Sequence, residues 1–394
     1  MPIKNRFEEL FEKIKSWRRH LHENPELLYD VIRTSDFVKK KLEEFGCDEV
    51  VTGLGRTGVV GVIRGRNAHS TRVIGLTADM DALPLQEKTN LDYASKVPGV
   101  MHACGHDGHT AMLLGAANYL AETRNFDGTV VLIFQPAEEG GGGAKEMIDD
   151  GLMDRFGIQE IYGMHNMPGL ELGRFSIKEG DFFAAADTFL IEVKGKGGHA
   201  AKPQETIDPV IIGSNIVMAL QTIASRNTDP IKNAVVSVCT FNSDTEAFNV
   251  IPETVTLKGT VRTFEKEVQK ETRRLLIRLS ETISESYGGS AKVEYSEGYP
   301  VMKNSSKETN EAKRVAESVS GTKVIDAQKI MGAEDFSFML NSRKGAYILI
   351  GNGNSSGVHS PTYVFNDEVL PIGASFWAEL VEARMKIENK VGSK

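Results

Sequence analysis

Cysteine is scarce in this chain, which has Cys47, Cys104 and Cys239 among its 394 residues. So few and so widely spaced cysteines do not form a disulfide framework, and we therefore expect a reducing, cytoplasmic environment. Long hydrophobic runs are also missing, since runs such as residues 130–134 have the length of a strand and not the roughly 20 residues of a membrane span. The first ten residues include acidic side chains and no apolar stretch, so we expect no signal peptide.

An excess of positive charge is likewise absent. The chain carries 46 Lys and Arg against 54 Asp and Glu, which gives a net charge of -8. This balance argues against electrostatic binding to nucleic acid or to an anionic membrane. Hydrophobic residues make up 40% and charged residues 25%, which is typical of a globular protein, and the length suggests two or three domains.

The hydrophobic pattern predicts an α/β fold in which one domain is inserted into another. Apolar runs of strand length alternate with helical patterns up to about residue 183 and again near the C-terminus, which indicates a sheet that is largely parallel in its middle. Between them, residues 185–297 show the order β-α-β-β-α-β of a ferredoxin-like unit. The predicted domains are therefore a discontinuous α/β domain, 1–184 with 298–394, and an inserted α+β domain, 185–297.

A dense group of metal-type side chains lies at residues 101–109, where three histidines, one cysteine and one aspartate occur within nine residues. Imidazole, thiolate and carboxylate are ligands of zinc and similar divalent ions, and in a loop Cys104 and His106 could both face one point. A structural zinc site would need a closed set of four ligands, often with paired cysteines. A cysteine nucleophile with a histidine base is a second alternative, and a surface cluster without function is a third.

Adjacent carboxylates, Glu138 and Glu139, follow the apolar run 130–134 almost directly. Ligands of open α/β sheets bind beyond the carboxyl ends of the strands, and two neighbouring carboxylates can divide the work of holding a cation and activating water. The glycines at 140–143 lack the Lys-Ser/Thr of a phosphate-binding loop, so we give that alternative little weight.

Three further segments place metal-type side chains past the end of an apolar strand. Asp79 and Asp81 end the strand that begins at Val73, His165 follows a predicted strand at 161–164, and His359 lies in the loop 351–361. Unrelated surface residues would rarely converge in this way. The residues alone therefore predict a metal site at one edge of the sheet.

Four blocks resemble the metal-dependent amidohydrolases, a family that includes bacterial hippurate hydrolase, aminoacylases and the plant auxin-conjugate hydrolases. The blocks are 78–84 (ADMDALP), 102–109 (HACGHDGH), 135–139 (QPAEE) and 163–165 (GMH). They occur in the family's order and the resemblance extends over essentially the whole chain. It implies a metal-binding α/β catalytic domain and an inserted lid that also dimerises.

The resemblance also implies roles for individual residues. Glu138 would be the general base and Asp81 an orienting carboxylate. The wider clan of di-metal peptidases usually has His-x-Asp where this chain has Asp79-Met80-Asp81, which leaves open whether one or two metal ions are bound. The thiolate favours zinc or nickel, while the other ligands also accept manganese. The implied ligands are Cys104, His106, Glu139, His165 and His359.

In the inserted domain, residues 195–200 (GKGGHA) resemble the family's Gly-x-x-Gly-His-Ala loop. There His199 would stabilise the oxyanion, reaching the site of a partner subunit. Asn249 and Arg262 lie in blocks that resemble those gripping the substrate carboxylate, for which a guanidinium is suited. We therefore expect a homodimer or homotetramer formed through the lid.

Together these observations predict a cytoplasmic enzyme that hydrolyses a small N-acyl amino acid, with no nucleic-acid or membrane partner. A dipeptidase or carboxypeptidase of the same clan is the alternative among enzymes. A non-catalytic metal-binding or sensing protein is the alternative outside them, although the intact Glu138 beside Glu139 argues against it.

Overall fold

A computed structural model describes residues 3–66 and 70–387, which form two compact units. The larger unit contains the described residues up to Gly180, Lys303–Gln328, and those from Asp335 onward. The smaller unit contains Asp181–Met302 and Lys329–Glu334. It thus begins at 181 where the sequence suggested 185, ends at 302 where the sequence suggested 297, and takes in a separate short segment that the sequence did not indicate.

The larger unit is built on one eight-stranded sheet. Its four middle strands run parallel to one another, and an antiparallel pair follows on each side of them. The prediction of an α/β sheet that is parallel in its middle is confirmed. In spatial order the strands are Glu49–Leu54, Gly58–Arg64, Thr129–Gln135, Val73–Asp79, Glu160–Pro168, Lys344–Gly353, Phe175–Ile177 and Ile325–Asp326.

Helices flank this sheet. The N-terminal helix buries Phe7, Ile14 and Trp17 along one face, as their spacing predicts. Burying each such side chain stabilises the fold by about 1.5–3 kcal/mol. No helix within residues 3–66 and 70–387 combines the length and apolar character needed to cross a membrane. The α-helices are Ile3–Glu23, Ile32–Phe45, His106–Thr123, Gly143–Asp149, Leu152–Arg155, Ser306–Ser320, Phe336–Ser342 and Leu370–Arg384.

The smaller unit has the predicted ferredoxin-like arrangement. Its helices, Pro209–Thr222 and Lys266–Ser286, pack on a four-stranded sheet in which every neighbouring pair is antiparallel. The prediction of an α+β unit of this kind is confirmed. In spatial order the strands are Ala234–Ser243, Thr254–Thr263, Ala185–Lys194 and Ser290–Tyr299.

One buried carboxylate organises the polar side of this smaller unit. Asp187 is 1% exposed and accepts hydrogen bonds from the Gln269 amide at 2.7 and 2.9 Å. It also accepts one from the Tyr295 hydroxyl at 2.6 Å and one from the Gly298 amide at 3.2 Å. A strand, a helix and a neighbouring strand are thus joined at a single side chain.

We expect Asp187→Ala to loosen the smaller unit selectively. Three donors would lose their acceptor: the buried Gln269 amide, the half-buried Tyr295 hydroxyl and the exposed Gly298 amide. Because an unsatisfied buried donor costs about 1–3 kcal/mol and water can replace the acceptor of Gly298, the loss should reach roughly 3 kcal/mol. Hydrogen exchange followed by mass spectrometry should show amides of strands 185–194 and 290–299 exchanging about 100-fold faster.

The matched control is Glu294→Ala, since Glu294 is exposed and, among residues 3–66 and 70–387, its side chain pairs with the exposed Lys292 at 2.7 Å. Its exchange pattern should equal that of the wild type. Equal acceleration in both variants, or in the larger unit as much as in the smaller, would contradict the role given to Asp187.

Candidate metal centre

The metal-type side chains of the larger unit converge at the carboxyl ends of its parallel strands. Asp79 is the last residue of its strand, Glu138 and Glu139 follow the strand Thr129–Gln135, and His359 lies in the loop after Lys344–Gly353. His165 differs from the prediction because its strand runs from Glu160 to Pro168, so the histidine lies within the strand and not after it. Pairing with the neighbouring strand Lys344–Gly353 continues past the apolar run, so His165 is part of the sheet.

The cysteine-histidine segment also differs from the loop that the spacing suggested. Helix His106–Thr123 begins at His106, so this side chain lies in a helix and not in a loop. Gly105 precedes it with φ 92, in the left-handed region that glycine adopts without strain. This turn directs Cys104 from the loop and His106 from the first helical turn towards the same region.

All five predicted ligands meet in overlapping groups whose ligand atoms lie within 4.8 Å of one another. Cys104 and His106 group with His165, Cys104 and Glu139 group with His359, and His106 groups with Glu138 and Glu139. Cys104 Sγ is 3.3 Å from His165 Nε2, and His359 Nε2 is 3.2 Å from Glu139 Oε1. Residues more than 250 positions apart in sequence thus form one cluster.

The hydrogen bonds of two histidines fix which ring nitrogen faces the cluster. His106 Nδ1 donates to the Asp81 carbonyl oxygen at 2.8 Å, and His165 Nδ1 donates to the Asn166 carbonyl oxygen at 2.6 Å. In its neutral form each ring therefore presents the lone pair of Nε2. The buried Nε2 of His106 has no hydrogen-bond partner among the described residues, which is the state expected of a metal ligand.

The electrostatics of the cluster favour a cation. Burial alone would lower the pKa of His106, but Asp79 and Cys104 raise it well above its ordinary value. Hydrogen bonds to Cys104 and Glu139 raise the pKa of His359 to about 10. These shifts report a negative potential. Burial, reinforced by His109, lowers the pKa of His165 to about 3, so this imidazole is neutral and able to ligate.

Asp81 holds the two adjacent carboxylates in place. Its Oδ1 accepts from the Glu138 amide at 3.0 Å, and its Oδ2 accepts from the Glu139 amide at 3.1 Å. Ala137, just before them, has φ 54, a conformation that costs a non-glycine residue energy and that persists only when its surroundings enforce it. The loop is therefore held in one shape that presents Glu138 and Glu139 side by side.

Asp335 closes the base of the same loop and was not singled out from the sequence. It is fully buried, accepts from the Gln135 amide at 2.6 Å, and accepts from the Ala144 backbone amide at 2.9 Å. It thereby joins the end of a strand to the start of a helix across 200 residues of sequence. No local signal in the sequence identified this partnership.

The other histidines of the 101–109 segment have different surroundings. His109 Nδ1 donates to Asp79 Oδ1 at 2.7 Å, and the Asp107 carboxylate accepts from His22 Nδ1 at 2.8 Å. His102 is buried, and burial lowers its pKa to about 3. The density of the segment thus reflects one pair of candidate ligands, Cys104 and His106, and a set of hydrogen-bonded groups around them.

The remaining predicted site residues lie in the smaller unit. His199 pairs with Val250 in a short ladder, and the Asn249 carbonyl oxygen accepts from the Ala200 amide at 3.0 Å, so His199 and Asn249 are neighbours. Arg262 lies on the strand Thr254–Thr263, where its Nη1 donates to Thr260 Oγ1 and to the Val261 carbonyl oxygen at 3.2 Å. Burial lowers the pKa of Arg262.

The donor set fits one or two divalent metal ions. A buried lone pair without a partner, a buried thiol and facing carboxylates are what borderline-soft divalent ions bind. Asp81 and the Asn166 carbonyl supply the outer hydrogen bonds that orient ligating imidazoles and carboxylates.

Known proteins resemble this chain over most of its length. It is 44% identical over 378 residues to a hippurate hydrolase of Campylobacter jejuni, a match that covers 95% of this chain and 97% of that protein. It is 38% identical to an N-acetylcysteine deacetylase of Bacillus subtilis, covering 93% and 96%. The crystal structure of a dinuclear metal-binding peptidase of the M20 family from Bacillus subtilis is 35% identical, with a TM-score of 0.83 over 96% of this chain and 99% of that one.

The resemblance seen in the sequence blocks is therefore confirmed. Residues 75–383 match a family model. This range includes residues of both units and all five candidate ligands. On this evidence the chain belongs to peptidase family M20/M25/M40.

Proposed function

We propose that this protein is a metal-dependent amidohydrolase that cleaves the amide bond of N-acyl amino acids and releases a carboxylic acid and a free amino acid. The observation that carries the proposal is the cluster in which the buried Glu138 lies beside the partly buried Glu139 among thiol and imidazole side chains. The named relatives, a hippurate hydrolase and an N-acetylcysteine deacetylase, act on substrates of this class.

In this proposal Cys104, His106, Glu139, His165 and His359 hold the metal. A bound divalent ion supplies positive charge that polarises a carbonyl group and makes water more acidic. The thiolate favours zinc or nickel, and the imidazoles and carboxylates also accept manganese.

Glu138 acts as the general base. Its carboxylate takes a proton from the attacking water and later delivers that proton to the nitrogen of the leaving amine. Asp81 supports this role because its two hydrogen bonds fix the backbone of both glutamates. The carboxylate that binds metal and the one that moves a proton are thus held at adjacent positions.

His199 donates a hydrogen bond to the oxyanion. Its Nδ1 accepts from the Ala201 amide at 3.1 Å, so the proton of the neutral ring is on Nε2, and this exposed N–H is available as a donor. Asn249 and Arg262 bind the free carboxylate of the substrate, since a guanidinium pairs with a carboxylate bidentately.

The proposed assembly is a cytoplasmic homodimer or homotetramer formed through the smaller unit, with His199 serving the site of a partner subunit. A dipeptidase or carboxypeptidase activity is the alternative, because the family is one of peptidases. The two activities differ in whether the amino group of the substrate is acylated or free.

The reaction is tested with a panel of hippurate and N-acetyl amino acids beside unblocked dipeptides. We expect hydrolysis of the acylated substrates, loss of activity on chelation, and recovery when Zn²⁺, Mn²⁺ or Ni²⁺ is added back. Faster cleavage of the unblocked dipeptides would establish the alternative. Full activity after chelation, together with inactivation by a thiol-alkylating reagent, would indicate a cysteine nucleophile.

Glu138→Gln should separate the base from the ligands. The substitution keeps the shape and removes the proton acceptor, so metal content should stay at the wild-type level while kcat falls by about 10²-fold or more. Glu139→Gln is the matched control and should lower metal affinity, measured by metal analysis after dialysis. Equal metal loss in both variants would contradict this division of roles.

Mixing two inactive variants tests the role of His199 across subunits. If each site combines Glu138 from one chain with His199 from another, a mixture of Glu138→Gln and His199→Ala chains should regain up to about a quarter of the wild-type rate, because half of the dimers are mixed and each has one intact site. Subunit exchange is verified with differently tagged chains. Exchange without recovery would place His199 in its own chain's site or outside catalysis.

A further inference from the structure

Behind the metal ligands lies a row of four hydrogen-bonded side chains, which we call the tether: Tyr363, Asn166, His109 and Asp79. All four are buried, with Tyr363 and Asn166 fully enclosed. None of the four is among the five proposed ligands. Tyr363 and Asn166 come from segments 197 residues apart, and the sequence drew attention to neither.

The direction of the Asn166 amide follows from its neighbours. Its Nδ2 lies 2.6 Å from the Cys104 carbonyl oxygen and 3.1 Å from His109 Nε2. Both are acceptors, because His109 Nε2 already accepts from the backbone amide of Asn166 at 3.0 Å. A reversed amide would bring two oxygens within 2.6 Å, so Oδ1 must face the other way.

Tyr363 completes this arrangement. Its hydroxyl lies 2.6 Å from Asn166 Oδ1, and since that oxygen can only accept, Tyr363 must donate. One buried hydroxyl therefore keeps Nδ2 of Asn166 directed at the Cys104 segment and at His109. His109 in turn donates from Nδ1 to Asp79, whose other oxygen lies 3.5 Å from His106 Nε2.

Asn166 also contacts a second ligand through its main chain, because its carbonyl oxygen accepts from His165 Nδ1 at 2.6 Å. A single residue thus touches the backbone of Cys104 and the ring of His165. Cys104 Sγ and His165 Nε2 lie 3.3 Å apart. If Asn166 shifted, no single residue would hold these two atoms in position relative to each other.

The close approach at Gly105 shows how tightly the tether packs against the ligand segment. A Cβ at Gly105 would lie 2.3 Å from Asn166 Nδ2 and 2.6 Å from the Tyr363 hydroxyl. The loop that bears His359 is fastened to the same segment a second time, since the His359 amide donates to the Ala103 carbonyl oxygen at 2.8 Å.

We propose that Tyr363 and Asn166 are positioning residues of the metal centre: the Tyr363 hydroxyl fixes the amide of Asn166, and Asn166 holds Cys104 and His165 with their ligand atoms directed at one ion. The inference rests on the proposed function only in requiring that this cluster bind a divalent ion. Outer hydrogen bonds of this kind change metal affinity about 10–100-fold in other sites.

The test uses Co²⁺ as the probe, because a cobalt-bound thiolate gives a charge-transfer absorption and Cys104→Ser identifies the part that comes from Cys104. In Tyr363→Phe the ring stays and only the hydroxyl is lost. We expect the Kd for Co²⁺, measured by competition with a chelating dye, to rise about 10–100-fold and the charge-transfer band to weaken or shift.

Tyr162→Phe is the matched control. Tyr162 is equally buried in the larger unit, and its hydroxyl donates to Glu160 at 3.0 Å, outside the cluster. Its Kd and band should equal those of the wild type. A wild-type Kd and band in Tyr363→Phe, or the same loss in Tyr162→Phe, would overturn the inference.

Asn166→Asp provides a second, nearly isosteric variant should Tyr363→Phe fail to fold. A carboxylate oxygen would then face the Cys104 carbonyl oxygen, so the increase in Kd should be at least as large, and a wild-type Kd would overturn the inference. None of these measurements uses hydrolysis. Tyr363-dependent Co²⁺ binding in a chain inactive on N-acyl amino acids would support the tether and overturn the proposed function alone.

Discussion

The larger unit depends on one constraint: its cluster of metal-type side chains buries lone pairs and negative charge that the chain itself compensates only in part. Removing such groups from water costs several kcal/mol for each ion, and hydrogen bonds within the chain satisfy only part of them. Within the described residues His106 Nε2 has no hydrogen bond, and the raised pKa values of His106 and His359 show how strongly the cluster attracts positive charge. The strained loop at Ala137 and the left-handed turn at Gly105 shape this cluster, and under the proposed function a bound divalent ion would supply the positive charge.

The parallel sheet explains why so much of this site could be predicted. Strands that end at one edge deliver the residues that follow them to one place, which was enough to group Glu139 and His359. The detailed positions of His106 and His165 could not be predicted in the same way. Gly105 lets the helix begin earlier than the hydrophobic pattern shows, and pairing with a neighbouring strand extends the strand through His165.

Residues that act through partners distant in sequence escaped prediction altogether. Asp335 reaches Gln135, and Tyr363 reaches Asn166, through side-chain contacts that no local periodicity records. In the smaller unit the β-α-β-β-α-β order was readable because it depends on apolar alternation. The buried, hydrogen-bonded position of Asp187 could not be predicted, because a single aspartate in a strand usually indicates an exposed position.

The order of the strands has a consequence for the way the chain is made. Strand Lys344–Gly353 lies inside the large sheet, between Glu160–Pro168 and Phe175–Ile177, yet it is synthesised after the whole of Asp181–Met302. At roughly 5–20 residues per second, about ten to thirty seconds pass between the synthesis of Glu160–Pro168 and that of Lys344–Gly353. During this time the segment Asp181–Met302 is completed, so the smaller unit can begin to fold. Strand Glu160–Pro168 meanwhile has one unpaired edge, and such edges promote aggregation. The nascent chain therefore exposes this free sheet edge until strand Lys344–Gly353 has emerged.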